Sequence, residues 1–349
     1  MKKIECNTYD IFINDWSAIN QYITTGNFSS IFVIVDDNTL KYCLPLFEEK
    51  VNASFRVICI QDGEQHKNID TCMFIWNKMI ELGADRHSLC INLGGGVIGD
   101  MGGFVACTFM RGMHFIQVPT TLLSQVDASV GGKLGIDYND YKNLIGIIQN
   151  PGAVFMYTDF LKTLPYRQLL SGFAEIIKHG LIRDKQAFER LTKVESLSNI
   201  DWEELIHESV LIKQKVTEED PYERGLRKIL NFGHTLGHAI ESNALSNDIA
   251  LLHGEAIAIG MIMETHLSHQ KGLIEIKDAE LVKEKIQLLF GHHPSIIPDT
   301  DLLLNLMSKD KKNRSGVIKF SLLKTLGDAN FDQEVTTSEI NNAISFYKA

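Results

Sequence analysis

Several features that would assign a chain at a glance are missing from this one. No run of about eighteen apolar residues occurs, so no membrane-spanning helix is expected. Basic residues are not in excess. The formal net charge is −10, which argues against nucleic acid as a partner. Cys-x-x-Cys pairs are absent. The six cysteines, Cys6, Cys43, Cys59, Cys72, Cys90 and Cys107, all lie in the first third, and buried free thiols are expected rather than disulfides or a zinc knuckle. There is no low-complexity segment and no internal repeat. Met1-Lys2-Lys3 is not followed by an apolar signal core, so a cytoplasmic location is the expectation.

What is present is ordinary in bulk and specific in detail. The chain has 349 residues, 44% hydrophobic and 22% charged, a size that suggests two domains. Up to about residue 157, β-branched apolar runs alternate with helical patterns. The runs are Ser30–Val35, Phe55–Ile60, Ser88–Leu93 and His114–Val118, with an amphipathic helix at Ile69–Leu82. That alternation predicts an α/β domain over 1–157 built on a mostly parallel, Rossmann-like sheet, whose ligands would sit at the carboxyl ends of strands. From 158 to 349 helical patterns dominate: Arg167–Ile182, Trp202–Thr217, Ile229–Asn243, Gly254–Lys271 and Ala279–Leu288. One β-rich run, Val317–Leu322, remains. A second, mainly helical domain is expected there, and Asn150-Pro151-Gly152 is a turn signal near the boundary.

Two motifs carry chemistry. Gly94-Gly95-Gly96-Val97-Ile98-Gly99-Asp100 follows an expected strand and opens an expected helix, so its glycines 94, 96 and 99 fit the spacing that brings backbone N–H groups and a helix N-terminus to a pyrophosphate. It departs from the usual dinucleotide fingerprint, because it is not in the first strand–helix turn and the acidic strand end, Asp36, precedes it. A tight turn without a ligand is the plainer reading. The second motif is Asn231-Phe-Gly-His234-Thr-Leu-Gly-His238-Ala-Ile-Glu241, with His253-Gly254-Glu255 fifteen residues after His238. On a helix, His234 and His238 share a face one turn apart. Imidazoles suit zinc and similar metals, and catalytic zinc commonly has three protein ligands. Glu175, in Ala174-Glu175-Ile-Ile-Lys178, is the best candidate carboxylate. Satisfied helix histidines are the plainer alternative.

These motifs occur in one order with Pro119-Thr120-Thr121, Val126-Asp127-Ala-Ser-Val-Gly-Gly-Lys133, Lys142-Asn143 and Gly225-Leu-Arg227. From about Asp36 to Lys312 the chain resembles the 3-dehydroquinate synthases, a family of sugar phosphate cyclases. The resemblance implies conversion of 3-deoxy-D-arabino-heptulosonate 7-phosphate to 3-dehydroquinate and phosphate, in the shikimate pathway of aromatic amino acid biosynthesis. It implies transient oxidation by NAD, β-elimination of phosphate, re-reduction and intramolecular aldol closure, with Zn2+ or Co2+ as the metal.

Residue by residue, the resemblance implies Glu175, His234 and His253 as metal ligands, where spacing alone pairs His234 with His238. His238, Lys178, Asn231, Asp127 and Arg111 are implied as catalytic, His238 as a substrate-facing base and Arg111 reaching across a homodimer. Lys133, Asn143, Lys213, Arg227 and Lys311 are implied for substrate. For NAD the implied residues are Asp36 beside a ribose, Asp62, Gly63, Glu64, Gln65, His66, Lys67, Gly96, Val97, Ile98, Gly99, Asp100, Thr120, Thr121, Lys133, Lys142, Phe160, Leu161, Lys162 and Thr163. An acidic chain would thereby gather Arg and Lys around an anionic sugar phosphate, Arg suiting a carboxylate and Lys a phosphate. Leu134 stands where many members have Thr, and Gln168 where Glu is common. The rival readings are another cyclase such as 2-deoxy-scyllo-inosose synthase, a metal-dependent polyol dehydrogenase, and an inactive nucleotide-binding scaffold.

Overall fold

The computed structural model describes residues 1–139, 141–247, 249–308 and 318–349. By packing, the chain forms two compact units. The first is Met1–Pro165 with Asp201–Glu218, and the second is Tyr166–Ile200 with Glu219–Ala349. A single cut after residue 157 does not reproduce this division. The first unit runs on to Pro165 and takes back most of one later helix.

The first unit holds strands β1 (Lys2–Glu5), β2 (Asp10–Ile13), β3 (Ile31–Asp36), β4 (Arg56–Ile60), β5 (Leu89–Gly94), β6 (His114–Pro119), β7 (Lys133–Tyr138), β8 (Tyr141–Ile148) and β9 (Ala153–Met156). Its helices are α1 (Trp16–Gly26), α2 (Asp37–Tyr42), α3 (Leu44–Lys50), α4 (Ile69–Glu81) and α5 (Gly96–Thr108). Seven strands make one sheet in the order β1-β2-β9-β6-β5-β3-β4, parallel throughout except for β1 against β2. β3 (IFVIVD) and β5 (LCINLG) are buried along almost their whole length, as continuous apolar strands covered on both faces must be. Alternate residues feed opposite cores. Phe32 and Ile34 pack with Ile58, Ile75 and Met101 on one face, while Val33 and Val35 pack with Leu89, Ile91, Val118 and Phe155 on the other.

The chain adds β4 on one side of β3 and β5 on the other. The order therefore reverses between β3 and β5, and a ligand crevice belongs at the carboxyl ends of strands at such a point. β7 and β8 form a separate antiparallel hairpin, which the sequence periodicity does not predict. Most of β8 is exposed, so the pattern of one buried face that marks a strand is missing there.

The second unit comprises α6 (Tyr166–Arg183), α7 (Lys185–Leu191), α9 (His234–Ser246), α10 (His253–Gln270), α11 (Ile276–Phe290), α12 (Thr300–Ser308), the hairpin β10 (Lys319–Thr325) and β11 (Asp328–Glu334), and α13 (Thr337–Lys348). Helix α8 (Trp202–Glu219) lies mostly in the first unit. α10 is the axis of the second unit, packed by α6, α9, α11, α13 and β10. Its Ala256–Met263 stretch is buried on every side, as a helix without a polar face requires. The expected helix Ile229–Asn243 is broken. Leu226–Asn231 is a 3-10 turn, and α9 starts only at His234, behind Gly233 at φ +80. That left-handed backbone suits glycine and stops a continuous helix.

Candidate functional site

In the second unit, α6 carries Glu175 and Lys178, α9 starts with His234 and carries His238 one turn later, and α10 starts with His253. Glu175 Oε1 lies 3.7 Å from His234 Nε2 and 3.8 Å from His253 Nε2. Nitrogen ligands of the three histidines also come within 4.8 Å of one another. The other ring nitrogens are engaged: His234 Nδ1 meets the Phe232 carbonyl at 3.0 Å, and His253 Nδ1 meets Glu241 Oε2 at 3.3 Å. Both partners accept, so both imidazoles carry a proton on Nδ1 and direct Nε2 toward the carboxylate.

Glu175 is fully buried, and its Oε1 receives no hydrogen bond among the described residues. A buried carboxylate oxygen facing two imidazole Nε2 atoms is an arrangement that a cation completes. Ligand atoms on a tetrahedral zinc are about 3.4 Å apart at normal bond lengths, close to the spacings here. Lys178, buried one turn along α6, forms an ion pair with Glu175. The donor set therefore fits a divalent metal, with His238 beside it.

The cluster is fixed by contacts that leave no slack. A Cβ on Gly254 would stand 2.0 Å from the Ser171 carbonyl oxygen, so only glycine lets α10 meet α6 this closely, one residue after His253. The Ser171 hydroxyl accepts the Gly254 N–H at 3.0 Å, one turn before Glu175. Arg167 grips Glu255 through two hydrogen bonds of 2.5 and 2.7 Å, and Glu255 accepts the Leu252 N–H at 2.8 Å. The same unit buries Arg227, whose guanidinium donates to the Pro221 carbonyl at 2.7 Å. The Asp220 carboxylate accepts the backbone N–H groups of Arg224, Gly225 and Arg227. Burial opposes charge on Asp220, but these three donors outweigh it and hold the group below the usual carboxylate range. Asn231 donates to Glu223 at 2.6 Å.

In the first unit, the residues matched to NAD gather at strand ends. Asp36 closes β3, Asp62 to Lys67 follow β4, Gly96 to Asp100 follow β5, Thr120 and Thr121 follow β6, and Phe160 to Thr163 lie shortly after β9. All five strands are parallel neighbours, so these segments lie along one edge of the sheet. The Thr120 N–H donates to the Gly94 carbonyl at 3.0 Å. The first turn of α5 has no side-chain cap and no acidic residue, the condition in which a helix N-terminus is left for an anion. A Cβ on Gly96 would meet only Ala128 at an ordinary 3.5 Å, so the protein's own packing does not demand glycine there. A ligand lying against the backbone would account for it.

Other matched residues have structural occupations as well. Asp36 caps α2, accepting the Thr39 N–H at 2.7 Å. Asp62 accepts from Asn38 at 2.8 Å. Ile98, Phe160 and Leu161 are buried in the core, which leaves their backbone as the part able to touch a ligand. Lys67 is buried, pairs with Asp100 at 2.6 Å and donates to Asn143 Oδ1 at 2.5 Å. Burial opposes its charge, but Asp100, Glu64 and Asp137 outweigh that and raise its pKa. The Asn143 N–H in turn donates to Asp137 at 2.6 Å. Lys213 on α8 pairs with Asp127 at 2.6 Å.

Arg111 sits on the exposed turn between α5 and β6, with Met110 and Arg111 both in the left-handed region (φ 48 and 67). Lys133 begins β7, and Lys142 lies on exposed β8. Lys311 lies outside the described residues. Sequence reasoning did not single out Glu241, Ser171, Arg167, Asp220 or Glu223. The first was within reach, since 234, 238 and 241 share a helical face; the others meet the site only through the fold.

The chain is similar along most of its length to known proteins. Family models described as the N-terminal and C-terminal parts of 3-dehydroquinate synthase match residues 57–171 and 172–313. A 3-dehydroquinate synthase of Parabacteroides distasonis is 38% identical over 338 residues, covering 95% of each chain. One of Halorhodospira halophila is 39% identical over 350 residues, covering 97% of each. Among solved structures, a 2-deoxy-scyllo-inosose synthase with carbaglucose-6-phosphate, NAD+ and Co2+ superposes with a TM-score of 0.84 at 26% identity, covering 98% of both chains. The 2-epi-5-epi-valiolone synthase of Streptomyces hygroscopicus, with NAD+ and Zn2+ bound, gives 0.85 at 26% identity, covering 99% of this chain and 98% of that one. A glycerol dehydrogenase of Schizosaccharomyces pombe, at 14% identity and a TM-score of 0.63, shares the fold alone.

Proposed function

Because this chain belongs to the 3-dehydroquinate synthase family, we propose that it converts 3-deoxy-D-arabino-heptulosonate 7-phosphate to 3-dehydroquinate and phosphate, with NAD and a divalent metal. The observation that carries the metal dependence is the buried, hydrogen-bond-poor Oε1 of Glu175 facing two Nε2 atoms whose rings are already oriented. Glu175, His234 and His253 would hold Zn2+ or Co2+. The uncapped first turn of α5, with Asp36, Asp62–Lys67, Thr120, Thr121, Lys133, Lys142 and Phe160–Thr163, would hold NAD. Bound, the metal polarises substrate oxygens and NAD takes up and returns one hydride.

The remaining roles fall to side chains. Arg227 offers its guanidinium to the substrate carboxylate as a planar pair of donors. Lys133, Lys213 and Lys311, with Asn143 and Arg111, hold the phosphate and hydroxyl groups. His238 is close enough to His234 and His253, with ring centroids 5.1 and 5.8 Å away, to exchange a proton with a substrate hydroxyl held there. Lys178 and Asn231 orient the reacting carbons, and Asp127 fixes Lys213. Loss of phosphate by β-elimination, with a phosphate oxygen taking the proton, and aldol closure need mainly a substrate confined to one pose.

We also assign the first unit chiefly to the nucleotide and the second to the metal and, through Arg227, to substrate. Arg111, Lys133, Asn143 and Lys213, given to substrate above, belong to the first unit. A cytoplasmic homodimer is proposed, without nucleic acid or membrane as partner. In support, the net charge is −10 and no described helix is long and apolar enough to cross a membrane. β8 exposes Tyr141, Leu144, Ile145 and Ile148, an apolar edge suited to a second copy.

The test offers the chain 3-deoxy-D-arabino-heptulosonate 7-phosphate, NAD and Zn2+, and follows phosphate and the carbocycle. Both should appear together. Turnover of a different sugar phosphate but not of this one would move the assignment to another cyclase. Net NADH from a simple alcohol would move it to a dehydrogenase.

A further inference from the structure

Glu264 lies on α10, eleven residues after His253, and is fully buried. Its Oε2 accepts the Gly233 N–H at 2.6 Å and its Oε1 accepts the Leu236 N–H at 3.1 Å. Those two donors bracket His234, the first residue of α9. The first N–H groups of a helix have no partner within it, and a carboxylate placed there satisfies them and opposes the helix dipole. α9 has no side-chain cap of its own, since Gly233 occupies that position. The cap is supplied instead by the neighbouring helix.

The same contact sets how closely the two helices approach. A Cβ on Gly260, one turn before Glu264, would stand 1.9 Å from the Gly233 carbonyl oxygen. Gly260 thus brings the α9 start down onto α10, and Glu264 fastens it there. His234 heads α9 and His253 heads α10, so the register between these helices sets the separation of the two imidazoles.

We propose that Glu264 is a positioning residue for the Glu175–His234–His253 cluster, acting through the backbone on either side of His234 rather than by touching metal or substrate. The proposal rests on the metal reading given above. In Glu264→Gln the side chain keeps one accepting oxygen but turns an NH2 donor toward a backbone N–H. One of the two fastenings is replaced by a clash of donors.

The experiment titrates the metal-free full-length protein with Zn2+ alone, in wild type and E264Q, and follows thermal unfolding of both metal-free forms. Loss of groups that orient metal ligands weakens binding by about 10- to 100-fold, and a shift of that size in Kd is the expected result. A purely structural role would lower the unfolding temperature of the metal-free protein and leave the Kd of the folded form within about twofold, and that outcome overturns the proposal. If wild type binds no Zn2+, the metal reading fails instead, so the two failures are distinct. Should E264Q not fold, E264D takes its place. It keeps the charge and both acceptors but is set back by one methylene. A severalfold weaker Kd supports the positioning role, and an unchanged Kd refutes it.

Discussion

The two units present the residues proposed for their ligands in opposite ways. In the helical unit the titratable groups are buried and locked. Glu175 and Lys178 are 0% and 1% exposed, and both imidazoles are oriented from behind. In the α/β unit the corresponding segments are strand-end loops. Asp62, Glu64 and Gln65 are exposed, and a helix start is left without a cap. One region stores its specificity in side chains that cannot move far. The other offers backbone at an edge that a long cofactor can follow. Damage to the first should remove function outright, and damage to the second should raise the cofactor concentration required.

The largest effect expected is on the helical side. His253→Ala should remove bound zinc and turnover together, lowering kcat by at least about a thousandfold, read by metal analysis and phosphate release. Retained zinc with full activity would break the contrast. Arg227→Ala comes next. Loss of a buried, charge-assisted pair with a carboxylate should raise the substrate KM by about 100-fold while the KM for NAD changes by less than about threefold. Equal losses for both ligands would refute its place on the substrate side.

Lys67→Met probes the α/β side. It leaves Asp100 without its partner, and removing one member of a buried pair costs about 3–5 kcal/mol. Denaturant unfolding should show that loss, together with a raised KM for NAD. The contribution of Lys67 to the pH dependence has a definite sign. Lys67 has a folded pKa above its unfolded one, so its stabilisation is complete below the unfolded value of about 10.4 and fades as pH rises through the folded value. On the Lys67 side, wild type should therefore lose stability relative to the variant in strongly alkaline solution. Asp100, whose carboxyl pKa burial pushes up, adds a separate loss of the pair as acid protonates it. The smallest effect concerns the thiols. Burial pushes Cys43 and Cys72 up to about 12, and Cys59 and Cys107 up to about 11. Alkylation of the native protein near neutral pH should be slow at all four, slowest at the first two.

The same contrast explains what the sequence discloses. The strands β3, β5 and β6 and the helices α6 and α10 are legible, because each is a long periodic or continuously apolar segment with turn residues at its ends. The helix start at His234 is not, since the break depends on Gly233 adopting φ +80 against α10. Hairpin β7–β8 is not, because its second strand has no buried face. The histidines announce a metal by type and spacing, but spacing pairs His234 with His238. The facing of Glu175 by His234 and His253 belongs to the packing of three helices. Glu241 shares a helical face with His234 and His238 and so was within reach, whereas Ser171 and Glu264 are common residues in common contexts, and nothing in one sequence marks them.

At the heart of the proposed function is a metal-dependent elimination in which the cofactor is regenerated. The decisive experiment gives metal-stripped protein substrate and NAD, and follows phosphate and NADH together while Zn2+ is added back. No phosphate should form before the metal. About one phosphate per substrate should follow after about one equivalent per chain, with no accumulation of NADH. Phosphate release without metal, or NADH rising in step with product, would overturn the mechanism.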